Sequence, residues 1–340
     1  MKRILVTRTD RLGDVILATP VLRRLIRSCP EAKIDFLVRK EWVPVLRFPE
    51  PVRTVIYDPN LPVGVLAAKF RAEKYDAAYV LRDDSPVTKA VYRAGIPFRV
   101  GPYSSLRSFF RFNKGLLQRR SRCLKHEAGY NLDLAGRLPG GLPVQDEDSP
   151  RAWIETSEEA KHLAGRFLSN HGLLPGTFLV IHPGSSGSAR YVKQGALQAL
   201  ARALLRKGTP VVVSGGPAEE ALIEAFRGEA PGVTLLGSGA GIGLDGLAEV
   251  MRQARSVIAH GTGPLHLAAA VGTPVLAIFP PLFVLSERRW GPLVQPRSVW
   301  VPEVTCPEKF RCAGPKCPVY DCMDLFDTDS ALRTLENLHR

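Results

Sequence analysis

The chain has 340 residues, 45% of them apolar, and a formal net charge of +13 at pH 7. This composition is that of a globular protein, and the length favours two domains. No apolar run approaches the roughly 18 residues of a membrane-spanning helix, and the apolar run after Lys2-Arg3 is too short for a secretory signal. We therefore predict a cytoplasmic protein.

The first half alternates short apolar runs with helical patterns, which is typical of a parallel sheet wrapped by helices. Pro20 falls inside the first helical pattern and predicts a kink there. The predicted strands are residues 4–7, 34–38, 54–57, 77–81 and 98–100, and the predicted helices are residues 15–29, 63–74 and 86–93.

A segment rich in Pro, Gly and acidic residues, 139–150, is typical of a linker and is followed by a second alternating series. We therefore predict an α/β fold with a domain at 1–150, a second domain at 151–325, a cleft between them, and a C-terminal helix within 326–340. Beyond Pro280 the sequence predicts irregular structure until that helix. The second series predicts strands at 178–182, 210–214, 233–236, 256–259 and 275–279, and helices at 157–171, 196–207, 218–227, 244–254, 264–271 and 330–338.

Residues 85–126 contain ten Lys or Arg and no Asp or Glu. Such a segment favours an anionic partner, namely a phosphorylated glycolipid, a membrane surface or a nucleic acid, although a solvated basic face is the alternative. Phe109, Phe110 and Phe112 lie among these charges and suit either base stacking or a membrane interface. Because no known nucleic-acid-binding module is apparent, we expect the membrane interface and no nucleic acid.

Four cysteines near the C-terminus are separated by five, four and four residues: Cys306, Cys312, Cys317 and Cys322. This spacing differs from the paired C-x2-C of common zinc sites. Reduced thiols packing a loop-rich segment are the favoured interpretation, and a metal site is the alternative.

The first predicted strand is followed by Arg11-Leu12-Gly13-Asp14, which places a carboxylate where the strand gives way to a helix. Ligands of open α/β sheets bind beyond the carboxyl ends of strands. Asp14 is therefore a candidate general base, and a helix cap is the alternative.

Three loops of the second half follow strands. The loop from His182 carries Ser185, with Arg190 and Lys193 beyond it, and lacks the spacing of a P-loop. Glu219 and Glu220 begin a helix and suit either the helix dipole or a ribose. The third loop, Thr262-Gly263-Pro264, begins a helix whose amides and dipole suit a diphosphate, with His266 in its early turns.

Together, these motifs resemble glycosyltransferase family 9, the heptosyltransferase family of lipopolysaccharide assembly. The resemblance is carried by the segment through Gly13-Asp14, by Lys125-His126-Glu127 with Asn131, by His182-Pro183-Gly184, by Gly215 to Glu220, by Thr262 to Ala270, and by Asp321-Cys322-Met323. It implies a GT-B fold of two Rossmann-like domains facing each other across a cleft. It also implies an inverting, metal-independent transfer from a nucleotide sugar, most often ADP-heptose, with no cofactor.

By motif match, the resemblance implies that Asp14 is the general base. The donor would bind to Ser185, Arg190, Lys193, Glu219, Glu220, Thr262, Gly263 and His266. An anionic glycolipid acceptor at the inner face of the cytoplasmic membrane would bind to Arg11, Arg119, Arg120, Arg122 and Lys125.

One departure bears on the donor: where family members carry Asp before the Thr-Gly pair, this chain has Gly261, preceded by His260. This departure bears against the usual donor, but heptose transfer is the first hypothesis. The alternatives are another nucleotide sugar, or a degenerate member that binds nucleotide sugar or glycolipid without turnover.

Overall fold

A computed structural model, which describes residues 1–138, 150–185, 187 and 189–338, contains two parallel β-sheets connected by helices. The chain divides into two units, Met1–Arg120 with Lys125–Glu155, and Ser121–Leu124 with Thr156–Arg340. The predicted linker at 139–150 lies outside the described residues apart from Pro150. None of the described helices is long and apolar enough to cross a membrane.

The sheet of the first unit has five parallel strands in the order β3-β2-β1-β4-β5. The central strand β1 is apolar because it lies between neighbours on both sides, and Ile4, Leu5 and Val6 are fully buried. All five strands were predicted to within two residues. They are β1 (Arg3–Thr7), β2 (Lys33–Arg39), β3 (Val52–Tyr57), β4 (Ala77–Val80) and β5 (Phe98–Val100).

The helices of the first unit differ from the prediction in two respects. The expected single helix over residues 15–29 is two helices, because Pro20 begins the second at a position where its missing N–H costs no hydrogen bond. Two further helices, α5 and α6, were not predicted. The helices are α1 (Leu12–Ile16), α2 (Pro20–Ser28), α3 (Val63–Ala72), α4 (Ser85–Arg93), α5 (Leu106–Arg111) and α6 (Glu127–Ala135).

The sheet of the second unit has six parallel strands in the order β11-β10-β9-β6-β7-β8. The prediction of irregular structure after Pro280 was wrong for the short helix Glu287–Trp290 and for Arg297–Trp300, which pairs with β10 as an edge strand. That strand has no buried residue, so it lacks the apolar run that marks the others. The strands are β6 (Leu179–His182), β7 (Val211–Ser214), β8 (Thr234–Leu236), β9 (Ser256–His260), β10 (Val275–Ile278) and β11 (Arg297–Trp300).

The C-terminal helix belongs to the core of the second unit. Its Leu332 and Leu335 share one apolar cluster with Ile181 of β6 and Val213 of β7. The helices of this unit are α7 (Glu158–Asn170), α8 (Gln194–Arg206), α9 (Glu220–Glu229), α10 (Gly243–Gln253), α11 (Gly263–Ala270), α12 (Glu287–Trp290) and α13 (Thr328–Asn337).

Each sheet has one point at which the strand order reverses. In the first unit the chain goes from β1 outward to β2 and β3 and then returns to β4 on the other side. In the second unit the same reversal lies between β6 and β9. The crevice beyond the carboxyl ends of the strands at such a point is where open α/β sheets bind ligands.

Candidate active site

A buried arginine organises the reversal point of the first sheet. Arg8 follows β1, is 2% exposed, and lies against three carboxylates. Its Nε donates to Asp10 Oδ1 at 2.8 Å, its Nη2 to Asp14 Oδ1 at 2.5 Å, and its Nη1 to Glu127 Oε1 at 3.1 Å. Asn131 accepts a further bond from Nη1 at 3.2 Å. A guanidinium bound on all sides in this way holds each carboxylate in a fixed orientation.

Asp14 is the third residue of α1, and it does not cap that helix. The N-cap is Arg11, whose side chain makes no capping bond, and the carboxylate of Asp14 binds Arg8 instead. Burial raises the pKa of Asp14 to about 6, against the lowering effect of Arg8; Asp10 and Glu127 raise it further. Burial therefore outweighs the stabilisation that a helix N-terminus gives to an anion, and Asp14 titrates at about 6.

Three members of this cluster were not identified as site residues from the sequence: Arg8, Asp10 and Glu127. A signal was present, because Glu127 and Asn131 are four residues apart and therefore share one face of a helix. His126 begins that helix as its N-cap, with Nδ1 accepting the N–H of Ala128 at 3.2 Å.

The basic residues assigned to the acceptor lie in different environments. Arg11 and Arg119 are exposed in the first unit, and Arg122 is exposed in a segment that groups with the second unit. Arg120 binds Glu127 Oε1 at 2.5 Å and the carbonyl of Leu81 at 2.8 Å. Lys125 pairs with Asp133 at 2.9 Å. The structure therefore places Arg120 and Lys125 in ion pairs within the protein.

The reversal point of the second sheet carries buried polar atoms that the protein leaves unsatisfied. Within the described residues, Ser185 Oγ, Arg190 Nε and His260 Nδ1 are buried and have no hydrogen-bond partner. Ser185 follows β6, and His260 ends the neighbouring strand β9. A buried polar atom without a partner lowers the stability of the fold by roughly 1–3 kcal/mol. Several such atoms beyond the carboxyl ends of neighbouring strands are therefore typical of a site that binds a ligand.

Two buried histidines end the central strands here and are neutral. Burial lowers the pKa of both His182 and His260 to about 4. His182 Nδ1 lies 3.1 Å from Ser214 Oγ, and His260 Nε2 accepts the N–H of Val192 at 3.2 Å. They contribute hydrogen bonds at neutral pH and no positive charge for a phosphate.

The cations Arg190 and Lys193 are held by the segment before α13. Asp324 binds Arg190 Nη2 at 3.2 Å and Lys193 Nζ at 2.5 Å. The guanidinium of Arg190 also stacks on the Tyr320 ring, 3.8 Å from its centroid. An anionic ligand would compete with Asp324 for both cations.

The two glutamates bind backbone amides of neighbouring turns. Glu219 Oε2 accepts the N–H of Gly216 at 2.8 Å and lies 3.4 Å from His182 Nε2. Glu220 is exposed and accepts the Ser238 N–H at 2.5 Å; this contact and the Ser238 hydroxyl lower its pKa. Glu220 presents the more accessible carboxylate of the two.

The turn before α11 is tight. The Thr262 N–H and Oγ both donate to the carbonyl of His260, at 2.6 and 3.3 Å, so this amide is engaged within the turn. Gly263 begins α11, and His266, one turn later, is 3% exposed. A side chain on Gly261 would collide with the ring of Phe279. Packing therefore explains the glycine at a position where the family resemblance leads us to expect Asp.

The four C-terminal cysteines line one cavity, together with Arg190 and Tyr320. All are free thiols: Cys306, Cys312, Cys317 and Cys322. Among the described residues, no three His, Cys, Asp or Glu side chains lie close enough together to hold one metal ion.

Comparison with known proteins gives a consistent picture. The model of "Glycosyltransferase family 9 (heptosyltransferase)" matches residues 63–312. Lipopolysaccharide heptosyltransferase 3 of Escherichia coli is 25% identical over 296 residues, which cover 82% of this chain and 84% of that protein.

Two solved structures share the fold. A glycosyl transferase of family 9 from Veillonella parvula has a TM-score of 0.81 and 20% identity, and the match covers 99% of this chain and 97% of that one. E. coli ADP-heptose lps heptosyltransferase II has a TM-score of 0.77 and 19% identity, with 100% and 98% covered. The predicted fold class, α/β of the GT-B type with two parallel Rossmann-like sheets, is confirmed, and so is the family resemblance.

Proposed function

Because the chain belongs to glycosyltransferase family 9, we propose that it is an inverting glycosyltransferase that moves heptose from ADP-heptose to a lipopolysaccharide core or a related envelope glycan. The observation that supports this most is Asp14, a largely buried carboxylate oriented by Arg8 at the reversal point of the first sheet. The similar E. coli proteins are named lipopolysaccharide heptosyltransferase 3 and ADP-heptose lps heptosyltransferase II, and these names support the proposed donor and the proposed class of acceptor.

In the proposed reaction, Asp14 accepts the proton of an acceptor hydroxyl while the oxygen of that hydroxyl attacks the anomeric carbon of the donor. The bond to the diphosphate breaks as the new glycosidic bond forms, so the configuration inverts. A base works best when its pKa lies near the working pH, and the pKa of about 6 meets this condition. Arg8 keeps the accepting oxygen in place.

The departing diphosphate develops negative charge. We propose that residues of the second unit stabilise this charge without a metal ion. Ser185 Oγ offers a donor with no partner of its own in the described residues. The N-terminus of α11 at Gly263 adds its dipole. Arg190 and Lys193 supply cations once the phosphates displace Asp324. Glu220, which is exposed, is proposed to bind the ribose, with Glu219 as the alternative.

The acceptor is proposed to be an anionic glycolipid, bound by the exposed basic residues Arg11, Arg119 and Arg122. The enzyme would then work in the cytoplasm, peripheral to the inner face of the membrane. The segment 85–126 supports this assignment, because its ten Lys and Arg residues with no Asp or Glu in the same stretch of sequence attract anionic lipid.

The test is a transfer assay with ADP-heptose and a lipopolysaccharide core acceptor that lacks terminal heptose, with the anomeric configuration of the product read by NMR. Calorimetry with ADP-heptose, UDP-glucose and GDP-mannose measures donor preference separately. Transfer with inversion, and tight binding of ADP-heptose alone, are expected. Binding without transfer to any acceptor would overturn the catalytic proposal, and preference for a UDP or GDP sugar would overturn the assignment of the donor.

A further inference from the structure

The first unit presents an apolar surface on α5 that none of the described residues covers. Leu106, Phe109 and Phe110 are 75%, 56% and 69% exposed. They are three and four residues apart, so they lie on one side of this short helix. Leu117, which is 68% exposed, follows six residues after the helix. Single exposed apolar residues are ordinary, but several large ones in one short segment mark an interaction site.

The segment 101–117, here called the α5 platform, is held firmly in place. Ser105 and Ser108 form a capping box at the start of α5. The Leu116 N–H donates to the Gly101 carbonyl at 3.0 Å, and the Tyr103 N–H donates to the Leu116 carbonyl at 2.7 Å. The fold therefore displays the exposed side chains on a closed, hydrogen-bonded loop.

The packing beneath the α5 platform is equally specific. Phe112 is buried against Gly101, where any side chain would collide with its ring, and Gly115 makes the same close approach to Tyr103. Tyr103 in turn packs on Phe109, with ring centroids 5.0 Å apart. The aromatic side chains of α5 are therefore supported by tightly packed residues. Such support keeps exposed apolar side chains in place when they insert into a lipid bilayer.

The charged side chains within the α5 platform are all positive, and the one carboxylate that contacts it, Asp83, is held by the hydroxyl of Ser104 at 2.6 Å. Arg107 and Lys114 are exposed on the α5 platform, Arg119 is exposed two residues beyond it, and the sequence from 85 to 126 contains no acidic residue. Apolar and aromatic side chains flanked by Lys and Arg are the pattern of segments that lie in the headgroup region of anionic bilayers.

We propose that the α5 platform docks on an anionic lipid bilayer, with Leu106, Phe109 and Phe110 inserted at the boundary between headgroups and acyl chains. Arg107, Lys114 and Arg119 bind the lipid phosphates. This proposal extends the proposed function. It rests on that function in one respect, namely that the glycolipid acceptor lies in the same bilayer. Docking needs no substrate, so it is measurable whether or not transfer is detected.

The experiment is flotation of the full chain with vesicles of pure phosphatidylcholine and vesicles containing 30% phosphatidylglycerol, a fraction of about the order found in anionic membranes. We expect binding to the anionic vesicles only. The double variant Phe109→Ser/Phe110→Ser should bind at least about tenfold more weakly, because the apolar contribution to interfacial binding is lost. The matched control is Phe310→Ser, which removes a 67% exposed phenylalanine from the second unit and should bind like the wild type.

A Phe110→Trp variant gives an independent reading, since insertion shifts the indole emission to shorter wavelength. Wild-type affinity in the double variant, or no blue shift in Phe110→Trp on bound vesicles, would overturn the proposal. So would self-association of the wild type that the double variant abolishes, or binding of single-stranded DNA that outcompetes the anionic vesicles, because either assigns the surface to another partner. Circular dichroism of each variant shows that the fold is retained.

Discussion

Replacing Asp14 by Asn separates activity from stability. The amide has the shape of the protonated carboxyl group but accepts no proton from an acceptor hydroxyl. Transfer should fall by a factor of about 10²–10⁴, the usual contribution of a general base. Binding of the donor should be unchanged, because the base faces the acceptor. The same substitution should stabilise the fold, since burial disfavours the ionised carboxylate.

The size of that gain follows from the pKa. Asp14 titrates at about 6 in the folded protein, against an ordinary value of 3.8. At about 1.36 kcal/mol per pKa unit, the ionised side chain costs the folded state roughly 3 kcal/mol above pH 6. Asn escapes this cost, and Arg8 keeps Asp10 and Glu127 as partners. The free energy of unfolding should therefore rise by up to about 3 kcal/mol in the variant.

The pH dependence has a definite sign. Because the folded pKa is raised, the contribution of Asp14 to stability is fully present below pH 4 and is lost as the pH rises through 6. The difference between variant and wild type should therefore be near zero at pH 4, grow up to pH 6, and remain constant above it. Wild-type kcat/KM should fall below pH 6 as the base is protonated.

Urea unfolding at pH 4, 5, 6 and 8 measures the stability of both proteins, and a pH series of initial rates measures the activity. Lower stability of Asp14→Asn than of the wild type at pH 8 would refute the argument from burial. More than a tenth of wild-type transfer in the variant would refute the assignment of the base. The two results are independent, so each part of the reasoning is tested separately.

Three further substitutions test the packing of the two sites. Glu127→Gln should destabilise the first unit by roughly 3–5 kcal/mol in urea unfolding, because it removes the buried negative charge that pairs with both Arg8 and Arg120. A loss below about 1 kcal/mol, as for an exposed ion pair, would contradict this. Gly261→Asp should lower the free energy of unfolding by about 1–3 kcal/mol, because the new side chain overpacks against Phe279. Adding Phe279→Leu should recover part of this loss. Additive losses in the double-mutant cycle would show that the Phe279 ring is not the obstacle. Ser185→Ala should weaken ADP binding about 2–10-fold in calorimetry and leave the stability unchanged, because the Ser185 hydroxyl has no partner among the described residues. Reduced stability with unchanged affinity for ADP would assign Ser185 a structural role.

The strands could be predicted because a central parallel strand is buried on both faces and is apolar throughout. Ten of the eleven strands were predicted to within two residues at each end. The strand that was missed, β11, is an edge strand without a buried residue, so its sequence resembles that of a loop. The break between α1 and α2 was misjudged because Pro20 is compatible with a kink as well as with a helix start.

The candidate base could be located from the sequence, but the group that controls it could not. Asp14 stands out because it follows an apolar strand, which is a local pattern. Arg8 and Glu127 are 119 residues apart, and nothing local to either indicates that they share a buried ion pair. Such long-range pairing depends on the strand order, which brings the end of β1 beside α6, and the apolar pattern does not determine that order.

The glycine at position 261 has one explanation in the family resemblance and another in the structure. As a departure from the family pattern, the missing carboxylate raises the prospect of a different sugar. In the structure, the space that a side chain at 261 would enter is filled by Phe279, which is buried and follows β10. The two positions are therefore coupled, and restoring Asp alone would strain the turn before α11. A change in donor preference is thus expected only from the pair, Gly261→Asp with Phe279→Leu, and assaying that pair against ADP-heptose and other nucleotide sugars measures whether position 261 affects the choice of sugar.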